Sequence, residues 1–401
     1  MILMQINSDN IDFLVGNSEI LANIQGVSAL PMFSEKVIEF LNALSRKLQK
    51  DKRSQGLADV LSYAFWIRKA SVIRARDKHV GYENRIGRGV AFHIAPSNVP
   101  VNFAVSMTSS ILAGNASIIR VSNRDFVQVD VICDAINELL ETEYTKLKPY
   151  FCIIRYEHSE EITAAMSSIC DVRVVWGGNQ TIASIRKASL PPRSIEMTFA
   201  DRHSIAVIET SEYLKKDASE IAKDFYIDTY YTDQNACSSP RLVVWIGTQA
   251  EEARSRFWNE LGKLVHKDYD MKPIQAIDKY TSMCKLGMAG TGYHLKSDDN
   301  YVIRVEVDVL TPELMNYKDG GGFFFEYLAD DLGEIVPVLT KQCQTISVLG
   351  ISKIKMKDLV FSSGVRGVDR IVDLGQTMGL EFVWDGYKMI ENMSRIVYVG
   401  E

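Results

Sequence analysis

From Gly87 onward the chain alternates short apolar runs with stretches of helical periodicity, and this alternation restricts the fold more than any other feature. Apolar runs at 90–94, 116–121, 151–154 and 172–176 are each followed by a helical pattern, at 101–112, 126–140, 160–169 and 181–187. Strands separated by helices of this length imply crossovers, hence a parallel, doubly wound sheet. The runs are apolar at successive positions, as strands covered on both faces require. A second series begins near Ser204: strand 205–208, helix 213–226, strand 242–246 and helix 250–265. Beyond Lys296 the chain turns β-rich (301–307, 322–325, 345–349), and 394–399 reads as a last strand. Ahead of both series, residues 34–50 place Val37, Ile38, Phe40, Leu41, Leu44 and Leu48 on one helical face, with Ser34 as the expected cap. The basic run Lys47, Lys50, Lys52 and Arg53 reads as the solvated end of that helix. Gly320-Gly321-Gly322 is the loosest linker by composition.

A length of 401 residues allows two domains, or two plus an arm. Hydrophobic residues make up 46% and charged residues 24%, enough apolar material for a sizeable core. The formal net charge of -6 provides no electrostatic footprint for nucleic acid or an anionic membrane. No run approaches the ~18 to 20 apolar residues of a membrane span, and the apolar start Met1-Ile2-Leu3-Met4 lacks the basic region of a signal peptide. Six cysteines (Cys133, Cys152, Cys170, Cys237, Cys284, Cys343) are scattered without a CxxC pair. That pattern disfavours a zinc site or a disulfide framework and suits a reducing, cytoplasmic setting.

Four stretches carry candidate chemistry. Cys237 lies in Asp233-Gln234-Asn235-Ala236-Cys237-Ser238-Ser239-Pro240-Arg241, on a small-residue turn entering an apolar strand. Such a support holds a thiolate rigidly while leaving it reachable, which covalent catalysis needs. Taken alone, a buried structural thiol is the other reading, because free cysteine is usually buried. Asn98, in His93-Ile94-Ala95-Pro96-Ser97-Asn98-Val99-Pro100, follows a strand at the sheet's carboxyl edge, where α/β folds bind ligands. Its amide suits an oxyanion donor, or simply a turn. Gly114 leads into the strand that ends on Arg120, followed by Ser122, Asn123 and Arg124. Those cations suit a ribose or a phosphate, or lie on the surface. Gly177-Gly178-Asn179 opens a helix after a strand, leaving room for a pyrophosphate or forming an ordinary turn.

In combination, the order and spacing of these motifs resemble the aldehyde dehydrogenase superfamily. Its Pro-Trp-Asn-x-Pro motif is similar to Pro96-Ser97-Asn98-Val99-Pro100, with serine in place of tryptophan. Its Ala-x-Gly-Asn-x-x-x-x-Lys motif is similar to Leu112-Ala113-Gly114-Asn115 through Arg120, and its Gln-x-x-Cys-x-x-x-Arg to Gln234, Cys237 and Arg241. Within the superfamily the LuxC-type acyl-CoA reductases are most alike. The residues that carry this are Ala95 to Ala104, Gln234 to Pro240, Gln344-Thr345, Gly367-Val368-Asp369-Arg370-Ile371-Val372 and Trp384-Asp385-Gly386-Tyr387.

The resemblance implies an α/β, aldehyde-dehydrogenase-like fold: two doubly wound domains, one Rossmann-like for the cofactor and one catalytic, with a short oligomerisation strand. The expected division is a nicotinamide-dinucleotide domain at 1–208, a catalytic domain at 209–384 and an oligomerisation segment at 385–401. It implies NAD(P)H-dependent reduction of an acyl-CoA to an aldehyde, with Cys237 as nucleophile and Asn98 as oxyanion donor. Pro96, Ser97, Arg120, Ser122, Asn123, Gly177, Gly178 and Asn179 would hold the cofactor. Where the superfamily's water-activating glutamate stands, this chain has Thr198, so hydrolysis to an acid loses its base. Glu196, two residues earlier on the same strand face, keeps an acid-forming aldehyde dehydrogenase open as an alternative. A non-redox acyl-transfer subunit using Cys237 is the other. Asn123 replaces the carboxylate that meets a ribose 2'-hydroxyl in NAD-preferring relatives, which favours NADPH over NADH. A homo-oligomer is expected, and an acyl-donating partner enzyme is compatible with the motifs. His93 and His203 receive no catalytic role. Asp369-Arg370 and Trp384-Asp385 read as family-specific packing or an interdomain ion pair. Tyr226, Tyr230, Tyr231 and Phe323 to Phe325 read as acyl-pocket lining or as core.

Overall fold

The computed structural model describes residues 10–297 and 299–400. The chain forms two compact units, Met1–Ala200 with Leu380–Glu401, and Asp201–Gly379.

In the first unit the strands are β1 (Asp12–Val15), β2 (Arg85–Gly87), β3 (Val90–Ile94), β4 (Ala116–Arg120), β5 (Phe151–Arg155), β6 (Val172–Trp176) and β7 (Ile195–Phe199). Six of them make one sheet in the order β1-β5-β4-β3-β6-β7. All neighbours are parallel except β1, which runs antiparallel to β5 at the edge. Every residue of β3 and β6 is buried, so both faces are covered and apolar side chains are needed at successive positions. Helices Asn102–Ala113, Val127–Glu141, Glu160–Ile169 and Asn179–Ile185 make the crossovers. The chain lays down β3, winds outward through β4 and β5, then returns to the other side of β3 with β6 and β7. That reversal leaves a crevice at the carboxyl ends of β3 and β6, the position where doubly wound sheets take ligands.

Helix Glu35–Lys50 buries all six apolar residues expected on its inner face. Ser34 does occupy the N-cap position, but its side chain makes no capping bond. Its carbonyl instead accepts from the N–H groups of Val37 and Ile38 at 2.9 and 3.1 Å. The basic end is tied to a neighbour: Lys47 pairs with Glu138, and Arg53 bridges Asp51 and Asp134 at 2.8 Å each. Gly114 closes helix Asn102–Ala113 at φ +98°, and a Cβ there would lie 2.0 Å from the Leu30 carbonyl oxygen.

The second unit contains β8 (His203–Glu209), β9 (Pro240–Ile246), β10 (Tyr293–Leu295), β11 (Ile303–Val307), β12 (Phe323–Ala329), β13 (Cys343–Leu349) and β14 (Arg370–Asp373), in sheet order β10-β11-β12-β9-β8-β13-β14. Only the β10 edge is antiparallel. Leu242 and Val244 pack with Ile205 and Val207 on one face, and Val243 and Trp245 with Ala206 and Ile208 on the other. Each such buried aliphatic side chain contributes about 1.5–3 kcal/mol. The boundary falls ahead of the expected 208 because β8 pairs with β9 and β13 and so belongs to the second sheet.

The helix expected at 213–226 is two, Thr210–Leu214 and Ala218–Asp228. Asp217 starts the second by accepting from Ser219 N and Glu220 N at 2.8 and 3.3 Å. Helix Pro273–Ala289 was not anticipated, because its buried residues are Lys279, Ser282 and Leu286 rather than an apolar stripe.

Residues 380–401 then complete the first unit. A hairpin of β15 (Val383–Trp384) and β16 (Tyr387–Lys388) precedes β17 (Ser394–Ile396), which pairs antiparallel with β2. Met389, Ile390 and Met393 are buried in the first unit's core.

Candidate active site

In the first unit, every residue expected to hold a cofactor lies at or just beyond the carboxyl ends of β3, β4 and β6, at one edge of one sheet. Pro96, Ser97 and Asn98 follow β3, and Ser97 and Asn98 are exposed. The two strands flanking the crevice are bolted together by Ser106, whose Oγ meets His93 Nδ1 at 2.8 Å and accepts from Trp176 Nε1 at 3.1 Å. Burial drives the His93 imidazole down to about 3, so it stays neutral and structural. Arg120 ends β4, donates from Nη2 to the Tyr156 carbonyl at 3.3 Å and lies over the Tyr156 ring at 4.8 Å. Its Nε is buried without a partner. Ser122 accepts from Arg124 N at 3.2 Å, and Asn123 beside it is exposed. A Cβ on Gly177 would lie 3.0 Å from Thr181 Cγ2, so the turn into helix Asn179–Ile185 is close-packed and kept open by the missing side chain. Gly178 caps that helix. An open glycine turn, a helix start and an unspent guanidinium N–H fit a dinucleotide.

Glu196 on β7 is not available as a base. It takes Arg173 Nη2 at 2.5 Å and Arg186 Nε at 2.6 Å, and Arg173 is buried. Thr198, two residues on, pairs in register with Val175 of β6.

In the second unit the cysteine turn stands at the amino edge of the sheet, immediately before β9. Asp233 and Gln234 both adopt left-handed backbone, at φ 53° and 58°. Non-glycine residues there cost about 1–2 kcal/mol each, so the surroundings must hold them. The Gln234 carboxamide does so with all of its capacity. Its Nε2 donates to the carbonyls of Pro240 and Phe323 at 2.9 and 3.0 Å. Its Oε1 accepts from Gly322 N and Phe323 N at 3.0 and 3.1 Å. Asp233 accepts from Tyr269 Oη at 2.7 Å, and its carbonyl from Gly321 N at 2.8 Å.

The glycine run is therefore no loose linker. A Cβ on Gly320 would meet the Asp233 carbonyl oxygen at 2.3 Å, and one on Gly322 the Tyr301 carbonyl oxygen at 2.2 Å. These glycines let one segment pack flat against the cysteine turn. Cys237 is half-buried, and its carbonyl accepts from Ser204 Oγ at 2.8 Å. Ser204 Oγ in turn accepts from Thr345 N at 3.2 Å, fixing the turn to β8 and β13.

The other cysteines are less suited to nucleophilic chemistry. Cys133, Cys152, Cys170 and Cys343 are buried, and burial pushes the last three up to about 12. Cys284 is exposed on helix Pro273–Ala289. His203 is spent: Nε2 meets the Val338 carbonyl at 3.1 Å, and burial lowers the ring to about 4. The aromatic runs are core, with Phe323, Phe324, Phe325 and Tyr230 buried and Tyr231 exposed.

Asp369 and Arg370 act inside the second unit. Arg202 Nη2 reaches Asp369 at 2.5 Å, and Arg370 Nη1 donates to the Thr377 carbonyl at 3.1 Å. Opposite Arg370, Asp228 takes Gly375 N, Thr377 N and Thr377 Oγ1 at 2.6, 2.9 and 2.8 Å. The clamped loop sets Met378 Sδ 3.5 Å from Ser238 Oγ, next to the cysteine. Asp228 escaped the sequence reading because a lone aspartate at a helix end signals nothing by itself.

Comparison with solved structures defines the fold. A NAD-dependent benzaldehyde dehydrogenase from Corynebacterium glutamicum superposes with a TM-score of 0.66 at 12% identity, over 97% of this chain and 94% of that one. Lactaldehyde dehydrogenase from Escherichia coli gives 0.64 at 12%, over 92% and 87%. The fold is that of the aldehyde dehydrogenases. The sequence model of the acyl-CoA reductase (LuxC) family matches residues 15–396, and the chain belongs to that family. Among curated relatives, the long-chain acyl-protein thioester reductase of Aliivibrio fischeri is 25% identical over 72% of this chain, and that of Photorhabdus luminescens 24% over 73%. The chain spans 58% and 60% of their lengths.

Proposed function

We propose that this chain reduces an acyl thioester to an aldehyde through an acyl-Cys237 intermediate. The observation that carries the reading is the cysteine turn itself: a half-buried Cys237 shortly after two left-handed residues, Asp233 and Gln234, held by a saturated carboxamide. Backbone strain sustained by that many bonds marks a functional position. Membership of the family and the names of the relatives point to the same chemistry.

In the first half-reaction Cys237 Sγ bonds to the thioester carbonyl carbon. The tetrahedral oxyanion collapses and the carrier thiolate leaves. The Cys237 backbone N–H is one oxyanion donor, and the motif assigns the Asn98 amide as the second; such donors contribute ~3–4 kcal/mol each. When bound, a reduced nicotinamide would supply the hydride that takes the acyl thioester to the thiohemiacetal anion. Cys237 then departs as thiolate and the aldehyde is released. Hydrolysis is held back because Thr198 has no carboxylate and Glu196 is committed to Arg173 and Arg186. That commitment speaks against the acid-forming alternative.

We assign the dinucleotide to the glycine turn Gly177-Gly178 with Asn179, and to Pro96, Ser97, Arg120, Ser122 and Asn123. NADPH is the preferred form, because Asn123 brings no repelling acid to a 2'-phosphate. The acyl donor is coenzyme A or an acylated protein. The test is intact-mass analysis after incubation with an acyl-CoA panel and an acylated carrier protein, with NADPH and NADH oxidation followed in parallel. An acyl adduct that is absent in Cys237→Ala, and aldehyde formation on adding NADPH, are expected. Full turnover by Cys237→Ala refutes the mechanism, and loss of rate in Asn98→Ala without loss of the adduct refutes its oxyanion role in acylation.

A further inference from the structure

β9 begins with an irregularity. Pro240 pairs with Ser204 and Leu242 with Ile205, so Arg241 is the extra residue of a bulge. Bulges next to active sites re-aim a side chain. Arg241 is only 7% exposed, yet its Nε and Nη1 have no hydrogen-bond partner. A buried guanidinium ordinarily commits its donors to carboxylates or carbonyls. Burial lowers the guanidinium from its ordinary range, and Cys237, Asp319 and Asp201 act in the opposite sense.

Neither carboxylate takes those two N–H groups. Asp319 Oδ2 is itself buried without a partner, and burial raises that carboxyl toward its neutral form. Asp201 Oδ2 lies 3.5 Å from Lys318 Nζ. The remaining charged neighbours are also engaged: Arg202 with Asp369, and His203 with the Val338 carbonyl. Burial lowers the His203 ring to about 4, so it stays neutral and supplies no positive charge.

We propose that Arg241 holds Cys237 in its thiolate form. This rests on the reading of Cys237 as nucleophile. The thiol proton goes to solvent, Arg241 keeps its own proton, and the thiolate electron pair forms the bond to the acyl carbon. Arg241 acts through Cys237 and is a positioning residue. A neighbouring opposite charge lowers a titrating group by about 1–3 units, from about 8.5 for a free thiol.

The experiment is the pH dependence of Cys237 alkylation by iodoacetamide, resolved by peptide mass spectrometry. It is run in a Cys284→Ser background, since Cys284 is exposed and would compete. In the parent protein the inflection is expected below about 7.5. Arg241→Gln is expected to raise it by about one unit, cutting the rate near pH 6.5 about tenfold and leaving the high-pH plateau intact. Arg241→Lys restores most of the low-pH rate. Coincident curves for the parent and Arg241→Gln overturn the proposal, as does an equal fall at every pH. Should Arg241→Gln fail to fold, the thiolate absorbance of the wild type minus that of Cys237→Ser decides: an inflection below about 8.5 supports the proposal and one at or above it overturns it. Acylation by octanoyl-CoA at about pH 9.5, where an unassisted thiol is mostly ionised, separates the two claims. No adduct there sinks the nucleophile itself; an adduct with coincident alkylation curves sinks only the arginine's role.

Discussion

Gln234→Glu is the sharpest test of how the cysteine turn is held. The glutamine gives two N–H bonds to the Pro240 and Phe323 carbonyls and accepts two from Gly322 N and Phe323 N. Glutamate has the same shape but no amide donor. Ionised, it sets an anionic oxygen against two carbonyl oxygens in a buried site; protonated, it recovers one donor of the two. Four buried bonds at about 1 kcal/mol each give roughly 4 kcal/mol for losing the whole set in Gln234→Ala. Gln234→Glu should cost at least as much, because repulsion replaces attraction on one side. For a unit of this size that corresponds to a fall in Tm of about 10 °C. Differential scanning calorimetry measures it. Acylation of Cys237 should slow in both variants. A Gln234→Glu protein with wild-type stability and acylation would refute the idea that the carboxamide holds the turn.

Three more outcomes follow from the same geometry. Glu196→Gln should lower stability by about 3 kcal/mol, because Arg173 stays buried with its charge unpaired; aldehyde formation per folded molecule should persist, as chromatographic product analysis would show. Burial raises Asp228 to about 6 in the folded chain, above its unfolded value, so the native state binds the extra proton and stability falls as pH rises from about 4 to 6. Urea titrations across that range should show a shallower dependence in Asp228→Asn. Gly322→Ala puts a methyl 2.2 Å from the Tyr301 carbonyl oxygen at φ +94°, so acylation should drop severalfold with the melting temperature; an unchanged acylation rate would show that the glycine segment does not support the turn.

The periodicities found the sheets because their strands are buried on both faces. β3 and β6 stand where the apolar runs predicted them, and helix Glu160–Ile169 has the expected bounds. Helix Pro273–Ala289 was invisible because it buries Lys279, whose ammonium donates to the Gly321 carbonyl at 2.7 Å. A lysine used as a core residue breaks the very pattern on which periodicity reading relies. The segments that bear Asn98 and Cys237 stand where the sequence expected them, after β3 and immediately before β9. The clamp of Asp228 and Arg370 on 375–377 joins residues far apart in the chain, and no local spacing announces it. The glycine run misled for a related reason. Small residues permit either looseness or very close approach, and composition does not distinguish them.

The return of the last segment to the first unit makes Asp201–Gly379 an insertion within another body rather than a successor to it. Removing residues from 380 onward would leave the Cys237-bearing unit whole. It would deprive the other of Met389, Ile390 and Met393, and of the strand partner of β2. Loss of those residues is thus an injury to the body built mainly from residues before 201.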